Sequence, residues 1–428
     1  MVSLTEAQLR EVLSSAVERH EDVARAVRLV AARATGDLKQ LRAEVDRGLR
    51  TRRLLGYRES IEWAHATRPI VAELRAAVGT SPSVELIELL QRAVGHVVKV
   101  IQHADDSSGL IGDVARELLN LHAEACDARV ADPVKLASWM IRFRFVDQDF
   151  FEPDPVRYAN ALGEAGLAAY RKAVTEHEDQ DSFAARYAWE RLAVLDGDVD
   201  RIVALVGGDL SAPYHFVRVA EAMAELGRDE DVLSWCLRGT AETSGWQTSK
   251  LYDLACEVYK RRSQPVEVLG LRRAEHERMP SSSTYAALRR AAEAVDAWEF
   301  EREAARATLR RLDKGAYIDA LLSDDDAQLA WETAVADPDW DPGAAMWLRL
   351  AEAREKDRPR DALAAYWRVV GEMLEQADRR AYSRAVRILK RARATAEAGE
   401  MYPAFAALRA QQRRRPTLIA MLDKAGLP

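Results

Sequence analysis

The chain has 428 residues, of which 48% are hydrophobic and 31% charged, and its net charge is −7. That length supports two or three ordinary domains or one long repeat array. Three cysteines, Cys126, Cys236 and Cys256, with no CxxC or CxC spacing, exclude a disulfide scaffold and a cysteine-built zinc site, and they suit a reducing compartment.

The opening MVSLTEAQLREVL is amphipathic and charged, without the apolar core of a secretory signal. No run of about 18 uncharged apolar residues follows anywhere, so no membrane span is expected. The expected location is cytoplasmic, with no membrane partner.

Val23, Ala26, Val27, Val30, Ala31 and Ala34 recur at helical spacing and form one apolar stripe. Gly36 suits the left-handed conformation that ends a helix, and Asp37 can cap the amides of the next. Leu38, Leu41, Val45 and Leu49 then restart the stripe. Ser81-Pro82 predicts another start, with a longer helix from Pro82 to about His103. Asp132-Pro133, Asp154-Pro155, Asp337-Pro338 and Asp341-Pro342 read the same way, because proline at the first helical position gives up an amide that has no partner there. The apolar run Ile202 to Val206, set between Asp198 and Gly207, reads as a short helix. No strand-like alternation or hairpin signal occurs.

Helices of about 10–18 residues with short breaks give about 16–20 helices, too many for one core. Stacked antiparallel pairs solve this, each pair burying a face on the next. Three segments share a helix, break, helix layout: Val217–Trp235, Leu251–Leu271 and Met346–Tyr366. In the third, Trp347, Leu350, Ala351, Ala362 and Tyr366 follow the large and small alternation of a tetratricopeptide unit. The break before Ala362 is one residue short, and residues 281–336 fit the pattern poorly. The expected fold is all-α, an α-solenoid of degenerate tetratricopeptide-like repeats over 131–428, preceded by a helical subdomain over 1–130. Trp235, Trp347 and Tyr366 are expected in its core.

Candidate chemistry is sparse. His96 and His103 are seven residues apart, with Asp105 and Asp106 beyond, but a metal is gripped better by an i, i+4 pair. Asp105-Asp106-Ser107-Ser108-Gly109 lacks the spaced ligands of a calcium loop and reads as a turn at a helix end. His122 and Cys126 are an i, i+4 pair without an activating third group. Gly207-Gly208 and Gly163 with Gly166 lack the context of a phosphate cradle. No catalytic residue, metal ligand or cofactor site is assigned.

Charge is distributed unevenly. Residues 376–428 carry a net +8, residues 1–60 a net +3, and the stretch between them −18. Arg380, Arg384, Arg387 and Arg391 are spaced to form one helical ridge, and Arg413, Arg414 and Arg415 follow. Such a ridge suits phosphates, an acidic surface of the same chain or of a second copy, or plain solvent. It lacks interleaved aromatics for base stacking. The segment FRFVDQDFFEPDPVRY (143–158) sets four phenylalanines and a tyrosine among acids. It reads as a hydrophobic latch or as a partner patch presenting Phe150 and Phe151.

Three stretches carry a family resemblance: DPVKLASWMIRFRFVDQDFFEPDPVRYANALGEAGLAAYR (132–171), RYAWERLAVLDGDVDRIVALVGGDLSAPYHFVRVAEAM (186–223) and AYSRAVRILKRARATAEAGEMYPAFAALRAQQRRRPTLIAMLDKAGL (381–427). With ADDSSGLIGDV (104–114), they resemble the helical region that follows the zinc finger in bacterial SWIM zinc-finger family proteins. The resemblance implies an interaction role. The CxC and CxH pairs of the finger are missing here, so no zinc ligand is carried over. Either the chain is a member without the finger, or only the helical part is present. The expectation is a non-catalytic helical-repeat scaffold that binds a protein partner. The alternative is a nucleic-acid-associated protein that contacts phosphates through the C-terminal ridge.

Overall fold

A computed structural model describes residues 5–35, 37–337, 339–376, 378–395 and 402–428. The described residues form 23 α-helices and one π-helical turn, with no strand beyond an isolated bridge between Leu55 and Ala104. Most helices pack mainly on their neighbours in the chain, whereas helix Tyr57–Thr80 packs mainly on Leu110–Cys126. The fold is therefore an all-α solenoid, as the helical periodicity predicts. Helices are more numerous than expected because several breaks are only one to three residues long. No helix among the described residues is long and apolar enough to cross a membrane.

The chain divides into two compact units, Met1–Arg228 and Asp229–Pro428. In the first, one core runs without interruption from Leu29 to Leu192. Residue 130 lies inside that span, in the turn between helices Leu110–Cys126 and Pro133–Arg142. In the second, one core runs from Cys256 to Leu427. The repeat-like segments Leu251–Leu271 and Met346–Tyr366 each form a packed helix pair there, whereas Val217–Trp235 straddles the division between the units. Trp347, Leu350, Ala351, Ala362 and Tyr366 are all buried. Burying each large side chain contributes about 1.5–3 kcal/mol, which is what stacks one pair on the next. Trp235 is only half-buried, with the Arg238 guanidinium over its ring at 5.3 Å.

The caps show how the sequence sets helix starts. Asp37 accepts from the amides of Lys39 and Gln40, Asp132 from Val134 and Lys135, and Asp198 from Arg201. Three expected starts are displaced. The helix after Ser81-Pro82 is Val84–Ile101, and Ser83 is its cap. After Asp341-Pro342 the helix is Ala344–Arg354, capped by Gly343, because Asp341 accepts instead from the Gly343 amide and the Trp347 indole. Asp154-Pro155 opens a turn, and the helix begins at Ala159. Gly36 and Pro338 lie outside the described residues.

Gly163 and Gly166 have structural reasons to be glycine. Gly163 sits at φ 51° and kinks the helix Ala159–Thr175, a backbone conformation that costs little only without a Cβ. A Cβ on Gly166 would lie 2.8 Å from the Pro133 carbonyl oxygen. Its absence lets helices Pro133–Arg142 and Ala159–Thr175 meet closely.

Candidate functional site

The C-terminal ridge lies on the helix Arg379–Thr395. Ala381, Tyr382, Ala385, Val386, Leu389 and Ala392 are buried and form the inner face of this helix. At 100° per residue, Arg380, Arg384, Arg387 and Arg391 fall on the opposite face, and all four are exposed. Asp378 caps the helix, accepting from the Arg380 amide at 2.7 Å and the Ala381 amide at 2.8 Å. The Ala381 amide is the main reason its carboxyl sits below the usual range, with smaller help from Arg384 and Arg380.

The seven arginines have different roles. Arg391 is engaged by its own chain: it pairs with Glu352, and its Nε lies 2.6 Å from Glu355 Oε1. Arg415 is also engaged, donating to the Leu374 carbonyl oxygen while its guanidinium stands 5.9 Å from the Tyr382 ring centre. Among the described residues, no carboxylate forms an ion pair with Arg380, Arg384, Arg387, Arg413 or Arg414. Elsewhere in the second unit many arginines are paired, including Arg261, Arg262, Arg272, Arg273, Arg306 and Arg354.

The aromatic segment separates its adjacent pair, Phe150 and Phe151. Gln148, itself buried, gathers the loop: its amide nitrogen donates to the Phe143 and Phe151 carbonyls, and its oxygen accepts from the Phe150 and Phe151 amides. Phe151 is buried in the core of the first unit, whereas Phe150 is 55% exposed. Phe143 stacks on Trp139, and Tyr158 is buried.

His122 is fully buried among Gln91, Tyr158, Trp139 and Cys126. One tautomer satisfies every group. Gln91 Nε2 donates to His122 Nε2 at 3.1 Å, His122 Nδ1 donates to Tyr158 Oη at 2.8 Å, and Tyr158 donates to the Leu119 carbonyl at 3.2 Å. Burial pushes His122 down to about 3 and the Cys126 thiol up to about 12. A neutral imidazole beside a protonated thiol lacks the thiolate that nucleophilic chemistry needs.

This burial has a consequence for pH dependence. The unfolded chain protonates His122 near its ordinary 6.5, while the folded chain resists down to about 3. Below 6.5 the unfolded state therefore binds more protons, so this group's contribution is whole above 6.5 and is lost as pH falls. Urea unfolding at pH 6.5 and 5.0, above most carboxylate titration, is expected to show a loss of stability. His122→Gln should reduce that loss, and an unchanged slope in the variant would contradict the assignment.

His96 and His103 hold different partners. His96 Nε2 lies 2.8 Å from Asp46 Oδ1, and His103 contributes its backbone carbonyl to the Leu55 amide. Asp106 accepts from the amides of Ile111 and Gly112 at the start of helix Leu110–Cys126, and Asp105 accepts from Ser107. Residues 105–109 thus open a helix as well as closing one. Arg92 grips both Asp46 oxygens, donating through Nε at 2.5 Å and Nη2 at 2.8 Å. That grip is the main reason the Asp46 carboxyl sits at about 2. Burial pushes His96 below its ordinary value despite the pull of Asp46. Arg92, His96, Lys99 and His103 follow i, i+4, i+7, i+11 spacing, a signal the sequence carries and that pairing the two histidines alone misses.

No protein-family model matches the chain, and no curated protein is significantly similar to it.

Proposed function

We propose that the chain is a non-catalytic helical-repeat scaffold whose C-terminal face holds an acidic segment of a protein partner. The observation that carries this reading is the set of exposed arginines, Arg380, Arg384, Arg387, Arg413 and Arg414, that form no ion pair with a carboxylate among the described residues, in a unit where many other arginines are paired. The three ridge residues span roughly 10 Å along the helix axis. Carboxylates two residues apart in an extended segment are spaced by roughly 7 Å, close enough for flexible arginines to meet them in forked hydrogen bonds. Stacked helix pairs suit extended partners. The chain's own Glu352 and Glu355 already hold Arg391 in this manner. The inert pairing of His122 with Cys126 supports the non-catalytic reading, and the cysteine usage supports a cytoplasmic setting.

The test is fluorescence anisotropy of a labelled glutamate-rich peptide with the full chain. The expected result is binding that Arg384→Glu with Arg387→Glu weakens by about tenfold or more, about 1.4 kcal/mol or beyond. Equal binding by the variant would refute the assignment of this face. Arg415 is kept intact, because its contacts with Leu374 and Tyr382 would confound the comparison.

A further inference from the structure

We propose that the first unit carries a binding site for a small phosphate-bearing ligand, in the cavity at the C-terminal end of helix Val84–Ile101. The cavity has a volume of about 750 Å³, within the usual range for small-molecule sites. Its cationic lining comes from Arg50, Arg52, Arg92 and Lys99, with His96 and His103 beside them, and its one carboxylate is Asp46.

The charges in this lining do not cancel. Asp46 is occupied by the two-point grip of Arg92 and by His96 Nε2, and its low pKa shows the carboxylate already well compensated. Among the described residues, no carboxylate pairs with Arg50, Arg52 or Lys99. Three formal positive charges therefore face one concavity. A concave cluster of one sign focuses potential more strongly than a convex ridge does. A compact anion with several oxygens, a phosphate monoester or a diphosphate, suits forked arginine donors and a lysine point charge.

The site is also held in place. Arg50 and Arg52 lie on the segment after helix Leu38–Leu49, and that segment is fastened to the far end of the cavity. The Leu55 amide donates to the His103 carbonyl at 3.1 Å, and the Asp105 amide donates to the Leu55 carbonyl at 2.8 Å. Leu55 is buried beneath this clip. The arginine segment and the stripe of Arg92, His96 and Lys99 thus keep a fixed separation, which reduces the ordering cost of capturing an anion. The shape favours a small ligand over a polymer: the charges converge on a pocket, whereas those on helix Arg379–Thr395 run along an open face.

The test is isothermal titration of the full chain with pyrophosphate and with inorganic phosphate, at ionic strength held constant with chloride. The expected result is saturable binding of pyrophosphate, tighter than that of phosphate. Arg50→Ala with Lys99→Ala should weaken it by about tenfold or more, and Arg52→Ala alone should weaken it less. Arg50 and Lys99 are exposed and form no ion pair among the described residues, so the ligand-free melting temperature should not change. Arg384→Ala with Arg387→Ala, on the other unit, should bind pyrophosphate as the wild type does. No saturable binding up to millimolar pyrophosphate, equal binding by the cavity variant, or loss in the ridge variant would each overturn the proposal.

Discussion

Asp324→Ala is expected to cost the second unit about 3–5 kcal/mol, the range found when one member of a buried ion pair is removed. The Asp324 side chain is 3% exposed and joins three helices. Tyr285 Oη, from Ser282–Glu293, donates to its Oδ2 at 2.5 Å. Arg306, from Trp298–Leu312, donates to the same oxygen through Nε at 2.9 Å and lies 2.8 Å away through Nη2. Arg289 donates to Oδ1 at 3.0 Å. Asp324 itself follows Lys314–Ser323 as its C-cap. Alanine would leave the largely buried Arg306 with the more distant Asp326, at 3.4 Å, and Glu303, at 3.7 Å, as its acidic neighbours. The measurement is denaturant unfolding read in the second unit, by hydrogen exchange over Asp229–Pro428. Replacing the pair together, Asp324→Leu with Arg306→Met, should recover much of the loss, because the desolvation of both charges is removed at once. A cost below about 1 kcal/mol for Asp324→Ala, the level of an exposed pair, would mean that the network does not join these helices.

Phe405→Ala is the second large effect, and it bears directly on the proposed binding face. Phe405 is fully buried, with Trp367 edge-on at 5.4 Å between ring centres. It anchors helix Tyr402–Gln411, which leads into the turn carrying Arg413 and Arg414. Truncating a buried phenylalanine costs about 3–5 kcal/mol. Because the chain has two units, one unfolding free energy does not describe it, and the loss should be local. Hydrogen exchange is expected to speed up over residues 402–428 and to stay unchanged over Met1–Arg228. Faster exchange spread evenly over both units would show that Phe405 supports more than the terminal helices.

The sequence makes the helices legible and leaves their neighbours hidden. Helical spacing places Leu38, Leu41, Val45 and Leu49 on one face, and the helix Leu38–Leu49 follows with Asp37 as its cap. The same local reasoning misplaces the start at Asp154, whose carboxylate is held by Arg191 from 37 positions away. Asp154 accepts from the Val156 amide as a cap does, yet the turn it opens does not run on as a helix, and no local pattern reveals the distant arginine that shares its carboxylate. The ridge shows the same limit. Its four-arginine face is readable from spacing alone, but the engagement of Arg391 by Glu352 and Glu355, and of Arg415 by Leu374, depends on helices that are distant in sequence. Phe150 and Phe151 are adjacent and chemically identical. The Gln148 clamp fixes the loop in which one is buried and the other exposed. The cavity in the first unit could be half read from the stripe Arg92, His96, Lys99. Its other wall depends on the Leu55 clip to residues 103–105, which has no signature in composition or periodicity.

A competition measurement decides whether the arginine face holds acidic protein, as proposed, or nucleic acid. Labelled glutamate-rich peptide and labelled single- and double-stranded DNA and RNA are titrated with the full chain at low and at physiological salt. Each titration is repeated with a variant carrying Arg384→Glu, Arg387→Glu, Arg413→Glu and Arg414→Glu. Phosphate-backbone binding falls steeply with salt, because each contact releases condensed counterions. The expected result is peptide binding that persists at physiological salt, resists competition by nucleic acid and disappears in the variant. Nucleic-acid binding that persists at physiological salt, displaces the peptide and is lost in the same variant would contradict it and make phosphates the ligand of this face.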